Sequence, residues 1–173
     1  MRDKMEVPKE VQFVTVQEHH LPVLLDIYNH YVRHTTVSFH TEPLDLEEFS
    51  SSVIAENPRF QTFVIESKQT IIGYVLTAQH KKKQAYDSTA EVTLYLDPGC
   101  LGRGVGTEAL HYIEQAARRQ QFHSLIATVC VENERSIRLF ERQGYVRCAL
   151  FREVGSKFGR RLDIASYQKL LRD

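Results

Sequence analysis

The 173-residue sequence lacks the features that mark several specialised classes of protein. Its three cysteines are odd in number and widely spaced, which matches neither a disulfide framework nor a zinc site and favours a reducing compartment. Its 22 basic and 22 acidic residues leave no net charge, which argues against a general nucleic-acid binder. No stretch is long and apolar enough to cross a bilayer, so we expect no membrane partner.

We also expect no targeting signal in the N-terminal segment. Residues 1–10 are rich in charge and contain no apolar core of the kind found in signal peptides. We therefore expect residues 1–10 to form a flexible tail. A single domain over residues 11–173 is expected to follow, in a cytoplasmic protein.

Hydrophobic periodicity predicts a mixed order of strands and helices. Antiparallel strands come first and strand–helix–strand units follow, which is typical of an α+β or mixed α/β fold. The predicted strands cover residues 11–16, 61–66, 71–78, 90–96, 124–131, 145–154 and 162–170. The predicted helices cover residues 21–32, 44–55 and 133–143, with one more directly after the glycine-rich run described next.

Half of the eight glycines fall in one run, LDPGCLGRGVG, over residues 96–106. A P-loop requires a lysine after the last glycine, and none follows Gly106. A dinucleotide fingerprint requires a third glycine where Thr107 stands. The remaining possibility is a row of backbone amides at a helix N-terminus that binds pyrophosphate, with Arg103 as a nearby cation. A plain glycine-rich turn capped by a helix is the alternative.

Five further segments place this loop in a wider context. IYNHYV, SFHTEPLDLEEF, AYDSTAEVTLYLDP, ENERSIRLFERQGY and EVGSKFGRRLD occur in this order from about Val11 onward. Together with the loop, they resemble the GNAT superfamily of acetyl-coenzyme A-dependent N-acetyltransferases. Within it, the chain is most similar to phosphinothricin and methionine sulfoximine or sulfone acetyltransferases.

The resemblance implies a fold and a reaction. The fold is a central mixed, mostly antiparallel sheet of about seven strands flanked by helices. The reaction moves the acetyl group of acetyl-CoA to the primary amine of a small amino-acid-like substrate, by direct attack in a ternary complex. Relatives commonly pair, so a homodimer is expected. No metal is expected, because no histidine pair has a third ligand at suitable spacing.

The resemblance also implies which residues bind acetyl-CoA. The end of the fourth strand pairs its backbone with pantetheine, the glycine loop binds pyrophosphate, and an asparagine unit contacts the pantetheine region. The corresponding residues are Leu94, Tyr95, Leu96, Leu101, Gly102, Arg103, Gly104, Val105, Gly106, Thr107, Asn133 and Ser136. For Asn133, capping of the following helix is an alternative role that is compatible with the first.

Glu91 is the predicted general base. An alkyl ammonium is mostly protonated at neutral pH, so a base or a water relay assists its attack. The alternation of a strand places Glu91 on the same face as Thr93 and Tyr95. The resemblance indicates the same position, since related enzymes carry a glutamate five residues after an Ala-Tyr pair. A solvated surface glutamate is the alternative.

The acceptor site is predicted from two segments. Lysines replace the arginines that family members carry in the loop before the catalytic strand, and these attract a carboxylate without the bidentate geometry of arginine. The predicted acceptor-binding residues are Phe39, Glu42, Lys81, Lys83 and Tyr86. A solvated basic loop is the alternative for the lysines.

Three positions depart from the pattern of the family. Leu101 replaces the usual glutamine or arginine of the pyrophosphate motif, and Arg161 stands where a tryptophan is common. Phe140 stands where relatives place a tyrosine or histidine as general acid, which leaves Tyr95 and Tyr145 as candidates or an unaided thiolate. These departures keep two alternatives open, a coenzyme A-binding sensor with little catalysis and a peptide or protein acetyltransferase.

Overall fold

The computed structural model describes residues 10–172, so most of the predicted N-terminal tail lies outside the described residues. Seven strands and four α-helices confirm the predicted mixed fold. In chain order they are β1 Gln12–Thr15, α1 Leu21–His34, α2 Leu46–Val53, β2 Thr62–Ser67, β3 Thr70–Gln79, β4 Thr89–Leu96, α3 Val105–Arg119, β5 Ser124–Cys130, α4 Glu134–Arg142, β6 Val146–Lys157 and β7 Arg160–Leu170. Each element lies where its pattern predicts, with ends that shift by a few residues.

All seven strands belong to one sheet with the order β1-β2-β3-β4-β5-β7-β6. Every neighbouring pair is antiparallel except β4 and β5, which run parallel. The β4–β5 ladder holds for only the first part of each strand, ending where Glu91 pairs with Ile126. Beyond that pair the two strands diverge, and residues 92–96 of β4 keep a strand partner on the β3 side alone. The sheet is therefore forked at its centre.

The helices cover the two faces of this sheet. Side chains of α1 and α2, such as Leu24 and Phe49, pack with Tyr74 on one face. On the other face α3 packs with the larger core cluster, in which Ile113 and Leu125 are fully buried. Because strand side chains alternate between faces, each face of the fork presents its own set of residues.

Local signals explain the helix starts near the fork. Asp45 caps α2 by accepting from the Glu48 amide at 2.9 Å, and Glu48 accepts from the Asp45 amide in return. Gly104 precedes α3 with a φ of 85°, a left-handed conformation that glycine adopts without strain. Every helix within residues 10–172 is too short or too polar to span a membrane.

Candidate active site

A cavity of about 450 Å³ lies beside the unpaired end of β4, between the glycine loop and α4. All of the predicted cofactor residues except Arg103 and Val105 line it. They are Leu94, Tyr95, Leu96, Leu101, Gly102, Gly104, Gly106, Thr107, Asn133 and Ser136. The fork in the sheet thus exposes the end of β4 to a space that also reaches the glycine loop.

The glycine loop reaches this cavity through its backbone. Asp97 starts the turn by accepting a hydrogen bond from the Gly99 amide at 2.8 Å. Gly102 and Gly104 then adopt φ values of 75° and 85°, which L-residues rarely adopt, and α3 begins at once. Val105 is buried in the core and anchors the first turn of α3. The loop therefore presents its backbone, and the positive end of a 15-residue helix, to the cavity.

Asn133 combines the two roles that its position predicts. Its side-chain oxygen accepts from the Ser136 amide at 3.2 Å and so caps α4, while its amide nitrogen donates to the Ser136 hydroxyl at 2.8 Å. Both residues also line the 450 Å³ cavity. The cap fixes the two polar side chains at the cavity wall.

A second cavity of about 420 Å³ adjoins the first and shares Val37 and Tyr95 with it. Its remaining lining residues are Tyr28, Ser38, Phe39, His40, Thr128, Cys130 and Ile164. Of the residues predicted for the acceptor, Phe39 lines this cavity. Glu42, Lys81, Lys83 and Tyr86 are exposed and line neither cavity.

Tyr95 stands at the junction of the two cavities and packs with three other tyrosines. Its ring centroid lies 5.1 Å from that of Tyr28, 5.4 Å from Tyr31 and 5.7 Å from Tyr74. Burial is the main reason why the pKa of Tyr95 is raised, and the neighbouring tyrosines add to this shift. Tyr95 therefore keeps its proton at neutral pH.

A hydrogen-bonded cluster lines the second cavity next to Tyr95. The Tyr28 hydroxyl lies 2.8 Å from the Ser38 hydroxyl and also contacts Nδ1 of His40. The Ser38 hydroxyl accepts from the His40 amide at 3.2 Å. Burial raises the pKa of Tyr28, so this hydroxyl also stays protonated.

Residues 36–38, of which Val37 lines both cavities, are held in place by the C-terminal part of the chain. Lys157 is buried and donates to the Ser38 carbonyl at 2.8 Å, and burial lowers the pKa of its amine. Thr36 donates to Glu132, a carboxylate that also pairs with Arg160. These contacts join the end of α1 to β5 and to the β6–β7 hairpin.

Glu91 lies at the last paired position of the fork, on the face of β4 that carries Tyr95. One of its carboxylate oxygens lies 2.9 Å from Nδ1 of His80, and its side chain is 40% exposed. The Tyr86 ring packs edge-on against His80, and the Lys81 amine lies 5.1 Å from the centre of the Tyr86 ring. The structure thus links three of the predicted residues through His80, which the sequence analysis did not identify.

Neither Phe140 nor Tyr145 lines either of these two cavities. Phe140 is buried in the core, with its ring edge-on to that of Tyr145 at 5.0 Å. Burial, and then the carboxylate of Glu114, raise the pKa of Tyr145. Of the two tyrosines proposed as proton donors, only Tyr95 lines the cavities.

Several lining residues were not predicted. Tyr31, Thr35 and Val37 reach the first cavity from the end of α1, and Arg135, Leu139 and Arg142 reach it from α4. The last three are spaced i, i+4 and i+7, so one face of the helix after Asn133 could have identified them. Among residues 10–172, no group of three or more His, Cys, Asp or Glu side chains is arranged to hold a metal ion.

Comparison with known proteins agrees with this geometry. The acetyltransferase (GNAT) family model matches residues 24–145. The chain is 36% identical to a phosphinothricin N-acetyltransferase of Streptomyces coelicolor, over 94% of this chain and 97% of that protein. It is 29% identical to an L-methionine sulfoximine/L-methionine sulfone acetyltransferase of Pseudomonas paraeruginosa, over 86% and 87% of the two chains.

A solved structure provides the spatial counterpart. An acetyltransferase from Salmonella typhimurium, solved with its cofactor acetyl-CoA, superposes with a TM-score of 0.87 at 26% identity, over 94% of this chain and 95% of that one. The family match covers more than half of the chain, and the relatives extend over nearly all of it. This chain therefore belongs to the GNAT family of acetyltransferases, for which acetyl-CoA is the acetyl donor.

Proposed function

We propose that this chain transfers the acetyl group of acetyl-CoA to the primary amine of a small amino-acid-like substrate, by direct attack in a ternary complex. The observation that carries the proposal is the pair of adjoining cavities that meet at Tyr95. Two neighbouring spaces allow donor and acceptor to be bound at the same time, as direct transfer requires. The relatives that act on phosphinothricin and on methionine sulfoximine or sulfone support the class of acceptor.

The 450 Å³ cavity has the chemistry of a coenzyme A site. Arg135 and Arg142 line it, and within residues 10–172 its lining includes no aspartate or glutamate. The amides of the glycine loop suit the pyrophosphate, and the unpaired end of β4 suits the amide groups of pantetheine. One amide of Leu94–Leu96 would polarise the thioester oxygen, an effect worth about 3 kcal/mol in comparable sites.

The 420 Å³ cavity favours an acceptor with a neutral side chain. His40 is its one titratable group other than tyrosine and cysteine, and no Lys, Arg, Asp or Glu lines it within the described residues. The phosphinate of phosphinothricin would lose hydration there without a permanent counter-ion, whereas a sulfone or sulfoximine is uncharged. We therefore propose that methionine sulfone and methionine sulfoximine are better acceptors than phosphinothricin.

Glu91 is proposed as the general base, acting through water. Tyr95 lies four positions further along β4, a distance of about 13 Å along a strand, so Glu91 is too far from an amine at the cavity junction for direct contact. A water chain would carry the ammonium proton to the carboxylate, which His80 holds at 2.9 Å. The neutral amine then attacks the thioester carbonyl, the carbon–sulfur bond breaks, and the thiolate leaves.

Protonation of that thiolate does not require Phe140. A thiol with a pKa near 8.5 is a tolerable leaving group, so the thiolate can depart unaided. Tyr95 lies at the junction and remains protonated, so we propose it as the donor if one is used. Lys81 and Lys83 are exposed on the loop before β4, and their charges would attract the carboxylate of an incoming acceptor.

The remaining proposals concern the domain boundaries, the oligomeric state and the cellular location of the protein. We propose that residues 11–173 form one N-acetyltransferase domain, since all seven strands share one sheet. β6 lies at the edge of that sheet and exposes Phe151 and Val154, a surface that a second copy of the chain would cover in a homodimer. The free thiols of Cys100, Cys130 and Cys148 support a reducing, cytoplasmic location.

An acceptor panel tests the proposed function. Release of coenzyme A thiol from acetyl-CoA is measured with methionine sulfone, methionine sulfoximine, phosphinothricin, the standard amino acids and a short peptide. The first two are expected to give the highest kcat/KM, about tenfold or more above phosphinothricin. A preference for phosphinothricin would contradict the proposed preference for an uncharged side chain, and turnover with the peptide alone would favour a peptide acetyltransferase. If no acceptor led to thiol release, the coenzyme A-binding sensor would be the remaining alternative.

A further inference from the structure

The glycine loop supplies no side-chain cation to the 450 Å³ cavity. Leu101 lines the cavity with an aliphatic side chain that has no donor, and Arg103 lies outside the lining residues. The loop itself would therefore offer a pyrophosphate group its backbone amides but no side-chain cation. Two phosphates next to an exposed cavity favour a guanidinium, which binds phosphate oxygens in a bidentate manner.

Arg135 lies where such a guanidinium is needed. It is in the first turn of α4, directly after the cap formed by Asn133. Its Nη1 atom lies 3.5 Å from the position that a Cβ atom on Gly102 would occupy. The guanidinium therefore lies at contact distance from the glycine loop, on the face of α4 that lines the cavity.

The surroundings leave Arg135 available to an anion. Within residues 10–172 it makes no hydrogen bond or ion pair with another side chain, whereas Arg138 pairs with Glu134 at 3.2 Å. Its positive charge reaches the cavity wall at Tyr31. Burial raises the pKa of Tyr31 to about 12, and Arg135 acts in the opposite direction. The positive ends of α3 and α4 add to the same potential.

We propose that Arg135 is the side-chain cation that binds the pyrophosphate of acetyl-CoA and supplies the donor that Leu101 lacks. This inference rests on the proposed function, since it concerns the donor cavity of that reaction. Arg142 lines the same cavity from the last turn of α4, nearly two helical turns further along. Its position separates it from Gly102, so the two arginines have different roles in the site.

The experiment compares two arginines on one helix. Arg135→Gln removes the charge at the cavity, and Arg138→Gln makes the same change at an exposed, ion-paired position that does not line it. Calorimetric titration at fixed ionic strength then measures three ligands. Coenzyme A has the pyrophosphate and the 3′-phosphate, dephospho-coenzyme A has the pyrophosphate alone, and pantetheine has neither.

Arg135→Gln is expected to weaken the binding of coenzyme A and of dephospho-coenzyme A by about tenfold or more and to leave pantetheine unchanged. Arg138→Gln is expected to stay within about twofold of the unmodified protein for all three ligands. Adding Leu101→Arg to Arg135→Gln returns a guanidinium to the loop, so it is expected to recover most of the lost affinity.

Three results would overturn the inference. Arg135→Gln could have the same affinity as Arg138→Gln for every ligand. It could also weaken the binding of coenzyme A but not that of dephospho-coenzyme A, which would assign the guanidinium to the 3′-phosphate. It could also weaken pantetheine as much as coenzyme A, which would indicate a structural role. If the unmodified protein bound none of the three ligands, the proposed function itself would fail, which is a different result from any of these.

Discussion

Gly155 of β6 allows a sharp test of the 420 Å³ cavity, which we propose binds the acceptor and call the acceptor cavity, because Gly155 faces the ring of Phe39. A Cβ atom at position 155 would overlap that ring, nearest to Cε2, at 2.9 Å from Cδ2 and 3.1 Å from Cζ. Carbon atoms in contact prefer separations of about 3.5–4.0 Å, so the ring has to move by roughly 1 Å. Gly155 has no left-handed φ, so the backbone accepts an alanine and the effect is confined to the ring.

The size of the effect follows from where Phe39 can move. Overpacking in a closed core costs about 1–3 kcal/mol. Phe39 is 40% exposed and can turn toward solvent, so Gly155→Ala is expected to lower the free energy of unfolding by only about 1 kcal/mol. The acceptor cavity loses one of its walls, and a displacement of about 1 Å near a reacting group is enough to reduce kcat/KM by tenfold or more.

The assay measures thiol release while acceptor and acetyl-CoA are varied separately. Gly155→Ala is expected to reduce kcat/KM for the acceptor and to leave KM for acetyl-CoA unchanged, because Phe39 lines only the acceptor cavity. Ser156→Ala, at the exposed neighbouring position, serves as the control. In a Phe39→Ala background the added alanine has no ring to displace, so its effect is expected to disappear.

Two outcomes would refute this reasoning. One is acceptor kinetics of Gly155→Ala that equal those of Ser156→Ala. The other is an effect of Gly155→Ala that persists at full size when Phe39 is already alanine, since this would place its cause elsewhere in β6.

Two further predictions concern the proposed general base, Glu91, and a buried histidine, His20. Glu91→Gln is expected to lower kcat by about 100-fold or more without changing the affinity for coenzyme A. The control Asp87→Asn, at an exposed carboxylate four positions earlier, is expected to have little effect on kcat. Equal kcat values for the two variants would favour the sensor alternative. His20 accepts from the Gln17 amide at Nδ1, and burial lowers its pKa below 6.5, so the unfolded chain takes up this proton first as pH falls. The free energy of unfolding is therefore expected to decrease from pH 7.5 to pH 5.5, and to decrease less steeply in His20→Gln. Urea titrations at several pH values measure this dependence. The same dependence on pH in both proteins would exclude His20 as its cause.

The fold was predictable because its signals are local. The strand 90–96 and the helix after Gly104 follow from alternation and from a glycine start, and both lie where predicted. The ends were less predictable where tertiary structure decides. β6 continues to Lys157, beyond the predicted end at residue 154, because a bulge between Phe151 and Gly155 interrupts the alternation that marks a strand.

The candidate site could be predicted from the sequence only where a single segment supplies its residues. The glycine loop and the helix cap at Asn133 each lie within one short segment, so the sequence alone indicates their backbone interactions. His40 and Ile164 share a cavity although 124 positions separate them in the numbering of the chain, and no local pattern reports that proximity. The sequence also does not show that Lys81 lies against the Tyr86 ring or that Tyr86 packs on His80, and the role of Lys81 in binding the acceptor stays a prediction.

The fork in the sheet makes the proposed base at position 91 compatible with the proposed binding of the cofactor further along the same strand. Glu91 is the last residue of β4 with strand partners on both sides, Ala78 and Ile126, so its backbone is fixed. His80 holds its carboxylate, which is still 40% exposed and can exchange protons with water. The next residues lose the β5 partner and expose β4 to the donor cavity. In the proposed mechanism, one strand would thus combine a fixed, solvent-exposed base with an open edge for pantetheine, and water would bridge the distance between the two.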